Sequence, residues 1–217
     1  MNTGAAAEPG VGTEPAPIAP PATRDALRRL LRSRRAALGE AQRHAAAQSI
    51  TRHIAATHWL HGMRRIGLYV SVGYEVRTEA LRALARRRHC PVYLPRIADY
   101  RRRVMVFTRE REPLRLLNRH GIPEPAAAHR VAARALSVVF VPLLGFDLRG
   151  TRLGAGAGYY DRLFAYRRHR HSWQRPLLIG LAYSCQRVER IERAGHDVPL
   201  DAVVTEAGVL RFTRPAG

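Results

Sequence analysis

The chain has 217 residues, enough for one domain of the larger common size and too few for two. Hydrophobic residues make up 46% and charged residues 25%, which excludes a disordered chain, and no apolar run approaches the length needed to span a bilayer. The formal net charge of +20 rests on 37 basic residues, every one an arginine. Beside the abundant alanine this reads as compositional, and the runs Arg101 to Arg103 and Arg167 to Arg170 lack the interleaved aromatics of a single-strand-binding surface.

Residues 1–22 are rich in Ala, Pro and Gly without a periodic apolar face, and they read as a disordered extension. Met1 to Pro9 have neither a basic start nor an apolar stretch, so no targeting segment is expected and the cytoplasm is the default. From Thr23 the pattern changes. Leu27, Leu30 and Leu31 recur at helical spacing, with Thr23 or Asp25 available as a cap, predicting a helix to about Leu38. A second helix follows Gly39, from Glu40 through Ala56, with Ala46, Ile50 and Ile54 on one face.

Arg65 to Val72 is a short β-rich run of the buried parallel type, and Thr78 to Arg88 reads as a helix with Leu81 and Leu84 inward. Strands are expected at Pro91–Pro95, Val104–Thr108, Ser137–Pro142, Leu177–Ala182 and Ala202–Thr205, with a helix over Tyr160–Tyr166 and an edge strand at Gly208–Phe212. This alternation predicts an α/β fold: a doubly wound, mostly parallel sheet with helices on both faces, Rossmann-like and three-layered, occupying residues 23–213 before a tail at 214–217. In such sheets ligands gather beyond the carboxyl ends of the strands, which directs the search to the loops after Val72, Pro142 and Ala182. Cys90 and Cys185 stand alone, without metal or redox spacing. His169 and His171 are flanked by Arg167, Arg168 and Arg170, whose charge opposes a cation there, so a solvated loop is the expectation.

Val141 to Arg162 is the most informative stretch, because it follows a buried strand and runs into a helix. Gly154, Gly156 and Gly158 alternate, which brings backbone close to a ligand and frees amides to point at an anion. The spacing fits neither GxxxxGK[ST] nor GxGxxG, and on pattern alone a phosphate cradle and a tight turn weigh evenly. Arg152 before the glycines can pair with phosphate oxygens, and Asp161 after them can serve as a magnesium ligand or as a first-turn helix residue.

These residues resemble the signature of the 5-formyltetrahydrofolate cyclo-ligases: Pro142, then Gly145-Phe146-Asp147, Gly150, and Arg152 through Asp161. The likeness extends from Arg24 to Phe212 through LYVSVGYEVRT, YLPRI (Tyr93 to Ile97), MVF (Met105 to Phe107), GIPEP (Gly121 to Pro125), GLAYSCQ and HDVPLDAVVTE. It implies an enzyme that uses ATP and Mg²⁺ to cyclise 5-formyltetrahydrofolate to the 5,10-methenyl form, releasing ADP and phosphate. Implied for ATP are Arg24, Asp25, Ala26, Leu27 and Arg28, with Arg152, Leu153, Gly154, Ala155, Gly156, Ala157, Gly158, Tyr159 and Tyr160. Implied for the folate are Val70, Glu75 and Thr78, with Gly156 to Tyr160. Asp161 and Asp201 are implied for the metal, and Arg152, Tyr160 and Asp161 for catalysis. Tyr160 reads either as pocket wall or as core packing.

The chain departs from the family pattern at Ala155, where a basic or aromatic residue is common, and at Ala157, where Gly or Lys is. Alanine resists the positive φ that glycine accepts, so a strained or reshaped loop is an expectation. Arg24 replaces the commoner lysine, keeping charge but not geometry. The rival readings are a relative that binds nucleotide or folate without turnover, and a basic nucleic-acid-binding or regulatory protein. The expected partners are small molecules only, with no specific nucleic acid, no membrane and a monomeric state.

Overall fold

The computed structural model describes residues 17, 19–111, 114, 116–126, 129–168 and 175–212. The readings of residues 1–16, of the tail beyond 212 and of the His169–His171 loop lie outside the described residues. Helix α1 (Arg24–Ala37) starts where Thr23 Oγ1 accepts the Ala26 amide at 3.2 Å, with Asp25 in the first turn and Arg34 and Arg35 in the last, each complementing the helix dipole. Helix α2 (Glu40–Ala55) is capped instead from inside, by Gln42 Oε1 reaching back to the Gly39 amide at 2.8 Å.

Strand β1 is shorter than predicted, only Ile66–Gly67. The Leu68 amide still donates to Tyr93 O, but the chain then folds on itself. Thr78 Oγ1 donates to Tyr69 O at 2.7 Å and Tyr69 Oη to Val76 O at 3.0 Å, so residues 69–78 close into a loop instead of continuing the ladder. Helix α3 (Glu79–Arg87) leads to β2 (Val92–Asp99), parallel to β1, as the crossover rule requires. Strand β3 (Val104–Arg109) returns antiparallel to β2 with an irregularity at Ile97/Asp99. Three pieces that the pattern did not predict follow: β4 (Leu116–Leu117) paired with β5 (Pro123–Glu124), and β6 (Arg130–Val131) on the free edge of β3.

Strand β7 (Val138–Pro142) is central, and the two-stranded ribbon β8 (Gly145–Phe146) and β9 (Arg152–Leu153) leads to α4 (Tyr159–Leu163) and a 3₁₀ turn at Ala165–Arg168. Strands β10 (Leu177–Leu181), β11 (Ala202–Thr205) and the antiparallel edge strand β12 (Gly208–Arg211) complete the chain. The sheet runs β12-β11-β10-β7-β1-β2-β3-β6, parallel from β11 to β2. Alternation along β7 builds both cores. Val138 and Phe140 pack with Ile50 and Ile54 of α2 and Leu81 of α3, whereas Val139 and Val141 pack with Phe164 beyond α4. The mostly parallel α/β sheet with helices on both faces is therefore as predicted, though β3, β6 and β12 make it mixed.

Chain order reverses between β1 and β7: the crossover through α3 carries β2 to one side of β1, while β7, β10 and β11 follow on the other. A crevice at such a reversal is where open α/β sheets bind ligands. The ribbon that overhangs it is fastened by Asp147, fully buried. Its Oδ1 accepts the amides of Arg149 (3.0 Å) and Thr151 (2.9 Å), and its Oδ2 accepts that of Ile191 (3.0 Å). The Gly-Phe-Asp of the sequence motif is thus structural. Replacing Asp147 by Ala would strand three amides and is expected to cost about 3 kcal/mol or more, read from urea unfolding, with Asp147→Asn losing less.

Candidate active site

A cavity of about 360 Å³ opens at the carboxyl ends of β1 and β7. Tyr69 and Val70 beyond β1 and Pro142 to Leu144 beyond β7 form its base, and the glycine loop with Tyr159, Tyr160 and Asp161 forms one wall. Arg32 and Arg35 reach in from α1, and Ile97, Met105 and Ile122 supply an apolar side opposite. The cavity therefore has a polar, cationic end and an apolar end. That polarity suits a ligand pair with phosphates at one pole and a flat ring at the other.

At the polar end Arg152 leaves β9 with its side chain only 4% exposed, and its Nη2 donates to Asp161 Oδ1 at 2.6 Å. Its guanidinium carbon lies 5.9 Å from the Tyr160 ring centroid, and its Nε is buried without a partner. Asp161 Oδ1 also accepts the Val198 amide at 3.1 Å. Among the described residues the contacts of Asp161 all fall on Oδ1, which leaves Oδ2 for a cation.

The loop puts its positive φ values on glycine: +112° at Gly156 and +70° at Gly158, while Ala155 and Ala157 take none. The expected strain at the two alanines is absent, because the glycine spacing already covers the residues that need that conformation. Arginines grip the loop carbonyls. Arg28 Nε donates to Gly154 O (3.2 Å), Arg32 Nη2 to Ala155 O (3.3 Å) and Arg162 Nη1 to Ala157 O (3.0 Å). Arg32 and Arg35 escaped the sequence reading. Their signal was present, since 24, 28, 32 and 35 fall on one face at helical spacing. The helix that follows the loop has only five residues, so a macrodipole contributes little and the free amides carry the anion-binding potential.

Glu75 brings a carboxylate to the base of the cavity, where its Oε2 accepts the Val72 amide at 3.1 Å. Burial raises its pKa against the weaker opposing pull of that amide and of Arg35. Burial, with Glu75 adding to it, also pushes the Tyr160 hydroxyl well above the ordinary tyrosine range, so Tyr160 stays neutral. Tyr160 packs on the core through its ring and faces the cavity as well, which makes both readings of it true. Opposite, Glu124 is a residue the sequence reading missed. Its Oε1 accepts the Ile97 amide (3.1 Å) and Asn118 Nδ2 (3.0 Å), tying the β4–β5 hairpin to β2 as a wall of the cavity. The only hint was a glutamate held between two prolines in GIPEP.

Val70, Glu75, Arg152, Gly154, Ala155, Ala157, Gly158, Tyr159, Tyr160 and Asp161 all line the cavity; the other expected residues do not. Leu27 and Leu153 are buried together with Leu31, Leu144, Val188 and Ile191. Thr78 is fully buried and secures the loop after β1. Gly156 is exposed at the loop tip, Asp25 pairs with Arg28, and Ala26 serves the helix start. Arg24 is engaged with Asp197 (2.7 Å) and with Glu192 O (3.1 Å).

Asp201, expected beside Asp161, stands at the start of β11. Both of its oxygens accept Arg167 Nη2, at 3.0 and 2.7 Å, and Oδ2 also takes the Leu178 amide at 2.7 Å. The residue before the Val198 amide that Asp161 accepts is Asp197, whose own carboxylate is held by Arg24 and the Ala194 amide. Burial opposes ionisation of Asp197, but the Arg24 guanidinium and the Ala194 amide outweigh it and hold its pKa below the ordinary value. Among the described residues no group of three or more His, Cys, Asp or Glu side chains is placed to hold a metal alone.

The model of the 5-formyltetrahydrofolate cyclo-ligase family matches residues 21–206. The 5-formyltetrahydrofolate cyclo-ligase of Haemophilus influenzae is 34% identical over 183 residues, covering 82% of this chain and 94% of its own. That of Escherichia coli K12 is 30% identical over 185 residues, covering 83% and 98%. Among solved structures, the 5,10-methenyltetrahydrofolate synthetase of Aquifex aeolicus superposes with a TM-score of 0.75 at 27% identity, covering 89% of this chain and 95% of that one. A family match over most of the chain, joined to a cavity at the carboxyl ends of β1 and β7, places the protein: it belongs to the 5-formyltetrahydrofolate cyclo-ligase family.

Proposed function

We propose that the chain cyclises 5-formyltetrahydrofolate to 5,10-methenyltetrahydrofolate with conversion of ATP to ADP and phosphate, both substrates meeting in the cavity at the switch point. The observation that carries this reading is that the glycine loop, the Arg152–Asp161 pair and Glu75 all face one space. The phosphates fit the end bounded by the loop amides, Arg152, Arg32 and Arg35. The reduced pterin fits the apolar end between Val70, Ile97, Met105 and Ile122, where Glu75 offers an acceptor to ring N–H groups.

A formamide oxygen is a poor leaving group and must be activated before the neighbouring amine can displace it. In the proposed sequence the formyl oxygen attacks the γ-phosphorus of ATP, forming an O–P bond as the terminal phosphoanhydride breaks and ADP leaves. N10 then attacks the activated carbon and loses its proton, and phosphate departs with the former formyl oxygen. The protein contributes position and charge neutralisation. Arg152 is held rigid by Asp161 and aims a fixed guanidinium at the developing phosphate charge. Tyr160, kept neutral, lines the meeting point and donates a hydrogen bond without competing as an anion. Glu75 orients the ring so that the formyl oxygen faces the loop.

Asp161 Oδ2 would hold magnesium, which when bound neutralises phosphate charge. A site with one or two carboxylates suits this ion, because Mg²⁺ completes its octahedron with substrate phosphate and water. Asp197 is the second carboxylate available there, once Arg24 turns to the nucleotide. Asp201 is already satisfied by Arg167 and the Leu178 amide.

Incubating the purified chain with 5-formyltetrahydrofolate and Mg-ATP is expected to produce the near-ultraviolet absorbance of the methenyl product, and no absorbance without ATP. A chain that gives no product under either condition sinks the reading. Asp161→Asn keeps an acceptor for Arg152 and Val198 but removes the charge, and it is expected to lower kcat at least about 100-fold. Because Arg152 then lacks its counter-charge, the melting temperature should fall as well, so kcat is read below that transition. Arg152→Ala is a poorer test, since it also removes a buried side chain and leaves the half-buried Asp161 carboxylate without its cation.

Glu75→Gln separates binding from stability. A carboxyl whose pKa is raised on folding stabilises the fold fully below its ordinary value of 4.5 and loses that contribution as pH rises through the raised value. At neutral pH the partly desolvated charge weighs against folding. Glu75→Gln is therefore expected to melt higher than the parent at pH 7, with the difference vanishing at acid pH, while binding folate more weakly and ATP unchanged. Calorimetric titration of each ligand and melting curves across pH check both halves.

A further inference from the structure

We propose that Arg162, which lies outside the cavity, is a positioning residue that aims the Gly158 amide at the bound phosphates. The inference rests on the reading of the glycine loop as the triphosphate site. It concerns a side chain that touches neither substrate.

The peptide between Ala157 and Gly158 is planar and trans, so its carbonyl and its N–H point in opposite directions. Whatever holds the oxygen therefore aims the hydrogen. Arg162 Nη1 donates to Ala157 O at 3.0 Å, and Arg103 Nη1, from the turn between β2 and β3, stands 3.5 Å from the same oxygen. Arg162 is exposed and does not line the cavity, whereas Gly158 does. Fastening the oxygen on the outer side directs the Gly158 N–H inward.

The backbone agrees with this arrangement. Gly158 sits at φ +70°, and a Cβ there would come within 2.8 Å of Arg162 Nη1, so the guanidinium occupies the space that only glycine leaves. Arg162 is also bound to the loop through its own main chain, its amide donating to Gly158 O at 3.1 Å. One residue thus grips the peptides on both sides of Gly158. Arg28 and Arg32 hold the preceding carbonyls at Gly154 and Ala155 from α1, so the loop enters the cavity with its oxygens already engaged. An anion arriving there would find donors oriented in advance instead of a loop that must turn over, and such preorganisation appears as affinity. The short α4 makes this orientation matter more, since five residues add little dipole.

The test compares the full-length parent with Arg162→Ala and Arg162→Lys, measuring Kd for Mg-ATP and for 5-formyltetrahydrofolate separately by calorimetry, and both KM values where product forms. Arg162→Ala is expected to weaken Mg-ATP about tenfold and to leave folate binding unchanged. Arg162→Lys, which can still donate to Ala157 O, is expected to recover most of the loss. The alanine penalty should persist at about 0.5 M salt, where a long-range charge effect would be screened. An alanine variant within twofold of the parent overturns the proposal, as do equal losses for both ligands, failure of lysine to rescue, or a penalty that disappears in salt. A parent that cyclises normally in those cases leaves the functional reading standing. A parent that binds no Mg-ATP removes both.

Discussion

Arg152 arrives at the cavity from a buried strand, and its side chain is only 4% exposed. A buried cation without a partner is strongly destabilising, so the fold has to bring a carboxylate to it, and the one it brings is Asp161 from the first turn of α4. That requirement fixes the path between them. The eight residues between Arg152 and Asp161 must leave the ribbon, turn, and return within hydrogen-bonding distance, which they do through Gly156 and Gly158 in left-handed conformations. The Val198 amide closes the same carboxylate from the far end of the chain, so one ion pair joins the loop, α4 and the segment before β11. Its geometry also leaves the second carboxylate oxygen of Asp161 outside the pair.

The rest of the cavity follows from the sheet. Ending β1 after two residues, with Thr78 and Tyr69 drawing the following segment into a closed loop, opens space at the switch point that a longer strand would have filled. The half-buried Glu75 then sits where it opposes stability, a common condition of residues kept for binding. Across the cavity Glu124 braces the hairpin through Asn118 and fastens it to β2 through the Ile97 amide, so the apolar wall is attached independently of the glycine loop.

Much of the fold was legible because apolar runs with turn residues between them do specify buried parallel strands, and β7, β10 and β11 fall within a residue of prediction. Strands β4, β5 and β6 were not, since two-residue pairings leave no periodicity to read. In the site, Arg152, Asp161 and Glu75 were found from motif and resemblance. Arg32 and Arg35 were hidden among many arginines, although helical spacing singled them out. Asp201 and Asp197 lie four apart in HDVPLDAVVTE, and spacing alone could not tell which one a strand start would consume. The strain expected at Ala155 and Ala157 was averted by the alternation itself, which assigns the demanding torsions to their neighbours.

Helix α1 has a consequence for biosynthesis. Its apolar residues Leu27 and Leu31 bury against Leu144, Leu153, Val188 and Ile191, all more than a hundred residues later in the chain. During synthesis the helix therefore leaves the ribosome long before its partners, amphipathic and undocked, and it joins the body of the protein among the last events of folding. A chain truncated before Val188 would carry this helix permanently loose, and with it half of the arginines that surround the glycine loop.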